Sequence, residues 1–519
     1  MRKSSNIFDL IHAMTQNEKR YFKIYSGLHF AGKDKNYIQL FEAIDALKEY
    51  DEKKLMSKIT APSIKKYFPQ VKRNLYVNIL KSLRTYHSEA TIDSQIASNI
   101  HDFEILHAKS LFKLARKALN KAKDLAEKYE RMTDLVNIFS LETRLLRSEN
   151  NVESLKKHTE EVSARLPARL KAIQNTAEYD SAYAAVVKMN KEIELVRTKE
   201  EHDSIVKIMK SPLLQDESQA ITVRNLIKFY YINGVYSYFL GDFKKSSDYF
   251  NQQIEQLNNH PEIIAEQEAM YLRALQNGCF MDLKSHQFDA FKEKLTMLKN
   301  FDTNVLSLEN NQQYAIYLFS IMYYNEIGRF DWALEFMDKH TNRFASLEKW
   351  VSSHNVFYEE SLYLRFSMAI SFLGSGQEKL ALKQMNEYLN NADKDLKQDS
   401  YCMARILNLM IHYELKNDDL LDYTVGSTIK FLTKKERLYA FEKSMLSFLE
   451  TATTATVSSK FQKALNQLDQ DCQKIKNNPI ERNAFAYFDF SKWVESKIKN
   501  CELSEVIQGQ FSEGFGKIH

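Results

Sequence analysis

An all-α architecture of stacked antiparallel helical hairpins, an α-solenoid, is what this sequence predicts, and three observations carry the prediction. A turn recurs as Leu240-Gly241-Asp242-Phe243, Ile327-Gly328-Arg329-Phe330, Gly374-Ser375-Gly376 and Lys416-Asn417-Asp418, each time between two apolar helical runs. Only 12 Gly and 6 Pro occur in 519 residues; ordinary chains carry about 7% and 5%, so the residues that sharp β-turns and long loops need are scarce. The chain also exceeds what one hydrophobic core organises, which calls for several domains or an open-ended array. Its 32 Phe and 28 Tyr supply the large side chains that many helix contacts would bury.

Residues 1–90 read as a basic helical module: a short opening helix, a run from Tyr37 to Tyr50, a short one near Glu52 to Ile59, and a longer one from Val71 to His87, with breaks at Pro62 and Pro69. In the longer run Val71, Leu75, Ile79, Leu83 and Tyr86 share one face, while Arg73, Lys81 and Arg84 fall on the other. Nine cations and no acid lie between Lys53 and His87, so the remaining residues are net acidic. That asymmetry hints at a separate N-terminal task.

Residues 91–215 read as long-helix hairpins. Leu114, Ala118, Ala122, Leu125 and Tyr129 make one stripe, and Val152, Leu155, Val162, Leu166 and Ile173 follow an approximate heptad that Pro167 is expected to interrupt. Two ordinary solenoid helices are favoured over a coiled-coil seam, because unbroken heptads are too few.

In residues 216–435 the repeat becomes legible. The run Val223 to Phe239 carries two apolar stripes, Val223/Leu226/Tyr230/Gly234 and Phe229/Ile232/Tyr236/Phe239, so it must be buried on two sides. The next run has one apolar face, Phe243, Ser246, Phe250, Ile254 and Leu257, opposite a charged one. This alternation of inner and outer helix returns after Ser285, after Gly328 (Phe330, Ala333, Met337, Phe344), after Gly376 and after Asn417, at steps of 44, 43, 48 and 41 residues. A step of that size means one two-helix unit per step. Residues 436–508 are expected to cap the array, ending in a helix from Glu481 to Ile498, and residues 509–519 to form a flexible tail.

The stretch Tyr230-x3-Gly234-x6-Gly241-Asp242-Phe243-x2-Ser246-x3-Phe250 resembles the tetratricopeptide repeat, and Gly328-Arg329-Phe330 with Ala333, and Gly376 with Ala381, match its turn and small-residue positions more loosely. The family's repeat is 34 residues, shorter than the steps here. The whole layout resembles large bacterial helical-repeat proteins. The resemblance implies a right-handed superhelix that binds a protein or peptide on its inner helices. Carried over by position, it places Tyr231, Val235 and Tyr238, then Met322 and Asn325, then Phe366 and Ile370 toward that partner, with Asn325 bonding the partner's backbone.

Catalytic and metal-binding signatures are not found. The four cysteines form no Cys-x-x-Cys pair, and none of the 13 histidines stands at a recognisable ligand spacing. The glycines of the tail lack the Lys, strand and helix that a phosphate loop needs, and no Gly-x-Ser-x-Gly elbow occurs. Met1 to Thr15 lacks the sustained apolar stretch of a signal peptide, and the richest apolar run, Ile316 to Tyr324, is far short of a membrane span. The expectation is therefore a non-enzymatic cytoplasmic scaffold or adaptor for a protein or peptide, with no cofactor, metal, membrane or small-molecule substrate. The alternative is a nucleic-acid-associated regulator whose residues 53–87 contact phosphates through Arg73, Lys81 and Arg84.

Overall fold

The computed structural model describes residues 6–29, 34–59, 61–89, 91–303, 305–342, 345, 358–392, 398–454, 458–511 and 515–518. Among them every regular element is a helix and none is a strand, as the scarcity of turn formers requires. Phe344 lies outside the described residues. Two compact units are formed, Met1–Leu170 and Lys171–His519.

In the first unit, α1 (Asn6–Ala13), α2 (Gln16–His29), α3 (Asp34–Asp45), α4 (Glu52–Lys58), α5 (Pro62–Lys66) and α6 (Phe68–Tyr86) enclose a core of their own around Ile11, Phe22, Leu40, Phe41, Leu55, Leu75 and Ile79. The short α4 starts where it does because the Asp51 carboxylate accepts from the free backbone N–H groups of Lys53 and Lys54. A second core, around Ile96, Phe103, Leu119, Leu135 and Leu145, is made by α7 (Ile92–Ala108), α8 (Phe112–Lys128) and α9 (Met132–Ser148). Helix α10 (Val152–Glu192) has 41 residues and continues past Pro167, where a break was expected; the first unit ends within it, at Leu170. One lost backbone bond, worth about 3 kcal/mol, does not end a helix with so many turns on either side.

In the second unit, α11 (Lys199–Met209) and α12 (Pro212–Gln215) lead into six helix pairs. These are α13 (Val223–Phe239) with α14 (Phe243–Asn259), then, after the short α15 (Pro261–Glu266), α16 (Glu268–Lys284) with α17 (Phe288–Asn300), and α18 (Leu306–Glu326) with α19 (Phe330–Lys339). There follow α20 (Tyr358–Gly374) with α21 (Glu378–Asn391), α22 (Gln398–Glu414) with α23 (Asp418–Lys434), and α24 (Ala440–Thr454) with α25 (Ser458–Lys476). Helices α13 and α18 are buried nearly all round, whereas α14 buries only the face bearing Ser246, Phe250, Ile254 and Leu257. The inner and outer roles read from the two kinds of stripe are therefore the observed ones.

The turns of the first five pairs close the same way. One residue adopts a left-handed backbone, Gly241, His286, Gly328, Gly376 or Lys416, and the next N–H reaches back to a carbonyl in the last turn of the preceding helix: Asp242 to Ser237 at 3.0 Å, Gln287 to Asp282 at 2.8 Å, Arg329 to Tyr324 at 2.8 Å, Gln377 to Phe372 at 2.8 Å, Asn417 to His412 at 3.1 Å. This is the Schellman closure, which satisfies carbonyls that a helix end leaves unpaired. It recurs at Glu436 and, in the first unit, at Ser110, Glu130 and Asn150, where no glycine announces it.

Beyond α25 the expected single helix from Glu481 to Ile498 is replaced by a 3₁₀ turn, Glu481–Ala486, then α26 (Phe490–Lys499) and α27 (Leu503–Gln508). Asp489 caps α26 by accepting from the Ser491 N–H at 3.2 Å, and Asn500, in a left-handed backbone, ends it. Trp493 is buried against Tyr413 and Phe448, and its indole N–H donates to Glu414 at 2.5 Å. The tail also departs from expectation: Phe511, Phe515 and Ile518 pack, partly buried, on the core of α16 to α19.

Candidate partner-binding surface

Between α10 and α11 the chain runs as a strap from Ile193 to Thr198. Its Glu194, Leu195, Val196 and Arg197 are all buried in the second unit, although two of them carry charge. The Val196 N–H donates to the Phe239 carbonyl at the end of α13 (2.8 Å), and the Val196 carbonyl accepts from the Asn483 amide (2.8 Å). The Glu194 carboxylate accepts from the Tyr363 hydroxyl at 2.5 Å, the Ser400 backbone N–H at 2.7 Å and the Tyr487 hydroxyl at 3.2 Å. Three donors on one carboxylate offset the cost of burying it. Burial, and then the Glu194 charge, push both the Tyr363 and the Tyr487 phenols well up, so they stay protonated as donors. Arg197 gives one nitrogen to both Glu442 oxygens, at 2.9 and 3.1 Å, and lies over the Tyr439 ring. Arg437 bridges Asp399 and Glu201 beside it, at 3.3 and 3.4 Å.

Next to the strap lies a cavity of about 300 Å³. Four of the seven residues expected to face a partner, Tyr231, Val235, Tyr238 and Met322, line it together with Phe280, Tyr363, Asn277 and Arg273. Tyr238 is partly buried, and the other three present a small remaining exposure to this space. Arg273 is exposed, is the single charged residue in the lining, and makes no ion pair or hydrogen bond among the described residues. The wall is thus aromatic, with a polar rim carrying one cation, which is the usual make-up of a ligand-accepting concavity.

The other three expected residues do not join it. Asn325 is consumed within the array: its amide donates to the Ser367 carbonyl at 2.8 Å and accepts from the Ser371 hydroxyl at 2.7 Å, both on α20. Phe366 packs on Tyr388 and, with Tyr238, Met322 and Leu195, encloses a space of only about 40 Å³. Ile370 is buried in the core that α20 shares with its neighbours. The steps between pairs are unequal, so one position on successive inner helices does not keep facing the same side. Arg273 and Phe280 were missed although the turn at Ser285 was read, because that turn has no glycine to match the repeat pattern and the partner-facing positions were carried over only to the glycine-marked pairs. Nothing local marks the strap, whose partners lie far along the chain.

In the first unit Arg73, Lys81 and Arg84 are all exposed on α6, as their spacing implies, and Tyr67, Tyr76 and Tyr86 are exposed with them. Lys72 is not free: its ammonium donates to the Tyr50 hydroxyl at 2.7 Å, and burial holds its pKa down. Among the described residues no group of three or more His, Cys, Asp or Glu is arranged to hold a metal ion, and no helix is long and apolar enough to cross a membrane. Comparison with family models, with curated proteins and with solved structures finds no match for this chain.

Proposed function

We propose that this chain is a non-enzymatic scaffold or adaptor of the cytoplasm, similar to tetratricopeptide-repeat proteins, that binds a protein or peptide partner on its inner-helix surface. The observation that supports this reading most is the cavity of about 300 Å³ where Tyr231, Val235, Tyr238 and Met322 meet the exposed Arg273. Aromatic and Met side chains around a cavity give a partner's apolar residue somewhere to be desolvated, and one rim cation orients it. The reading needs no cofactor or metal. Its test is capture from lysate with and without nuclease, comparing the native chain with the rim variant Arg273→Glu. The same partners with nuclease, lost at least tenfold in the variant, support it; nuclease-sensitive capture, or capture indifferent to Arg273, counts against it.

A second reading is favoured by the exposure of Arg73, Lys81 and Arg84 on one helix with three tyrosines beside them. There α6 would lie along a phosphate backbone, and affinity would fall steeply with salt as counterions are released. For the scaffold reading, no salt-steep binding of mixed duplex or single-stranded DNA is expected from the full chain. Measurable binding that is abolished by R73E/K81E/R84E would reverse the order of the two.

A further inference from the structure

The groove between α17, α18 and α19 holds a piece of this chain in the manner of a bound peptide. Phe511 meets the rings of His286 and Phe288 at 6.0 and 5.6 Å, and Phe515 meets Phe288 at 4.9 Å. The backbone is gripped as well: the Tyr323 hydroxyl donates to the Gly516 carbonyl at 3.2 Å and the Tyr324 hydroxyl to the Ile518 carbonyl at 2.9 Å. Lys517 reaches Glu335 at 2.5 Å and lies over the Trp332 ring at 5.4 Å.

The asymmetry of burial separates groove from occupant. Phe288, Tyr323 and Tyr324 are buried parts of the helical core, whereas Phe511, Phe515 and Ile518 are only partly buried and belong to no helix or strand. Gln508 of α27 donates to the Gly328 carbonyl at 2.7 Å, so what precedes Phe511 is anchored independently. Phe511 and residues 515–518 can therefore leave without unmaking a helix among the described residues. The grips on carbonyl oxygens do not depend on side-chain identity, while the two aromatic seats do. Such a site reads a segment with aromatics four residues apart in sequence and an aliphatic residue three further on, preceded by a cation.

We propose that this groove is a docking site for a partner segment of that chemistry, occupied in cis by the chain's own Phe511, Phe515, Gly516, Lys517 and Ile518 until the partner displaces them. It is independent of the inner-helix cavity, so either can fail without the other. A tethered occupant competes at an effective concentration in about the millimolar range, so a displacing segment must be tighter or locally concentrated. Free peptide should therefore bind weakly to the native chain and well to one whose tail is released.

The test is fluorescence anisotropy with a labelled peptide of residues 509–519, titrated with the full native chain and with full-length F511A/F515A. The released chain is expected to bind the peptide at least about tenfold more tightly than the native one, by the same competition. The peptide with both phenylalanines replaced by alanine should bind neither. A circular dichroism melt checks that F511A/F515A is folded. Full-length Lys517→Glu, which leaves the groove untouched and sets like charges together at Glu335, should tighten peptide binding two- to threefold. Equal binding by native and released chains, or no binding by either released variant, overturns the proposal. So does a concentration-dependent dimer of the native chain that disappears in F511A/F515A, because the occupant would then be the tail of a second copy.

Discussion

At Gly241 the backbone φ is +71°, and a Cβ there would stand 1.9 Å from the Asn483 side-chain oxygen. Gly376 has nearly the same φ, +68°, but a Cβ there would meet only the Glu378 side-chain oxygen, at an unstrained 4.0 Å. Gly376→Ala is therefore expected to cost about 1 kcal/mol, the strain of a left-handed alanine alone, and Gly241→Ala at least about 1 kcal/mol more because Asn483 must move. Urea denaturation of the two variants separates strain from contact; equal losses would mean that Asn483 yields freely. The thiols make a second prediction at this scale. Burial pushes the Cys279 and Cys402 thiols far up and that of Cys472 to about 12, whereas Cys501 is partly exposed. In the native state a thiol reagent should label Cys501 first and the other three only on unfolding, and prompt labelling of any of the three would contradict the packing described. Glycine turns were legible in the sequence because φ above zero costs glycine nothing. His286 and Lys416 adopt the same backbone, and their turns were legible only from the flanking apolar runs; Glu436 adopts it too, with no mark in its identity.

Among the elements, the strap is held by groups that tolerate partial removal badly. Arg197→Ala leaves Glu442 buried without its counter-charge, and a loss of about 3–5 kcal/mol is expected, while the paired change R197M/E442L should recover most of it. If the double variant is no more stable than the single one, the ion pair is not what holds the strap. The turn after α16 has a pH signature. Burial would raise the Glu326 carboxyl, but the Lys284 ammonium and His286 outweigh it and bring it down to about 2. A carboxyl depressed in the folded state stabilises above its unfolded pKa and loses that contribution as pH falls through the folded one. Glu326→Gln should thus cost about 1–2 kcal/mol near neutrality, and the gap to the native chain should close between about pH 4.5 and pH 2. A gap that persists at the acid end would assign the loss to packing instead. Helix α13 occupies Val223–Phe239, the bounds read from its two stripes, because Thr222 caps it and the turn at Gly241 follows closely. The start of the C-terminal helix was misjudged because its apolar spacing does not reveal the 3₁₀ turn before Asp489.

For the whole molecule, local rules reach as far as the pairing of helices and no further. Two separate cores in the first unit and six helix pairs in the second follow from apolar periodicity, few glycines and few prolines, since each amphipathic face must find a neighbour and the nearest in sequence is at hand. The salt dependence proposed for α6 belongs to this scale too, because the cationic run was visible as composition and its exposure as helical spacing. What only the tertiary structure decided is which inner-helix residues remain available. Tyr231, Val235, Tyr238 and Met322 open onto a shared cavity, while Asn325, at an equivalent position by pattern, is spent on Ser367 and Ser371. The sequence by itself determined the all-helical class, the inner and outer roles, and the glycine-marked turns, because these depend on contacts within a few residues. The course of the strap past Glu442 and Asn483, and the seating of the tail on Phe288 and Tyr323, depend on contacts between residues far apart along the chain. Periodicity has no term for such contacts, since an apolar or charged residue looks the same in sequence whichever distant neighbour it will meet.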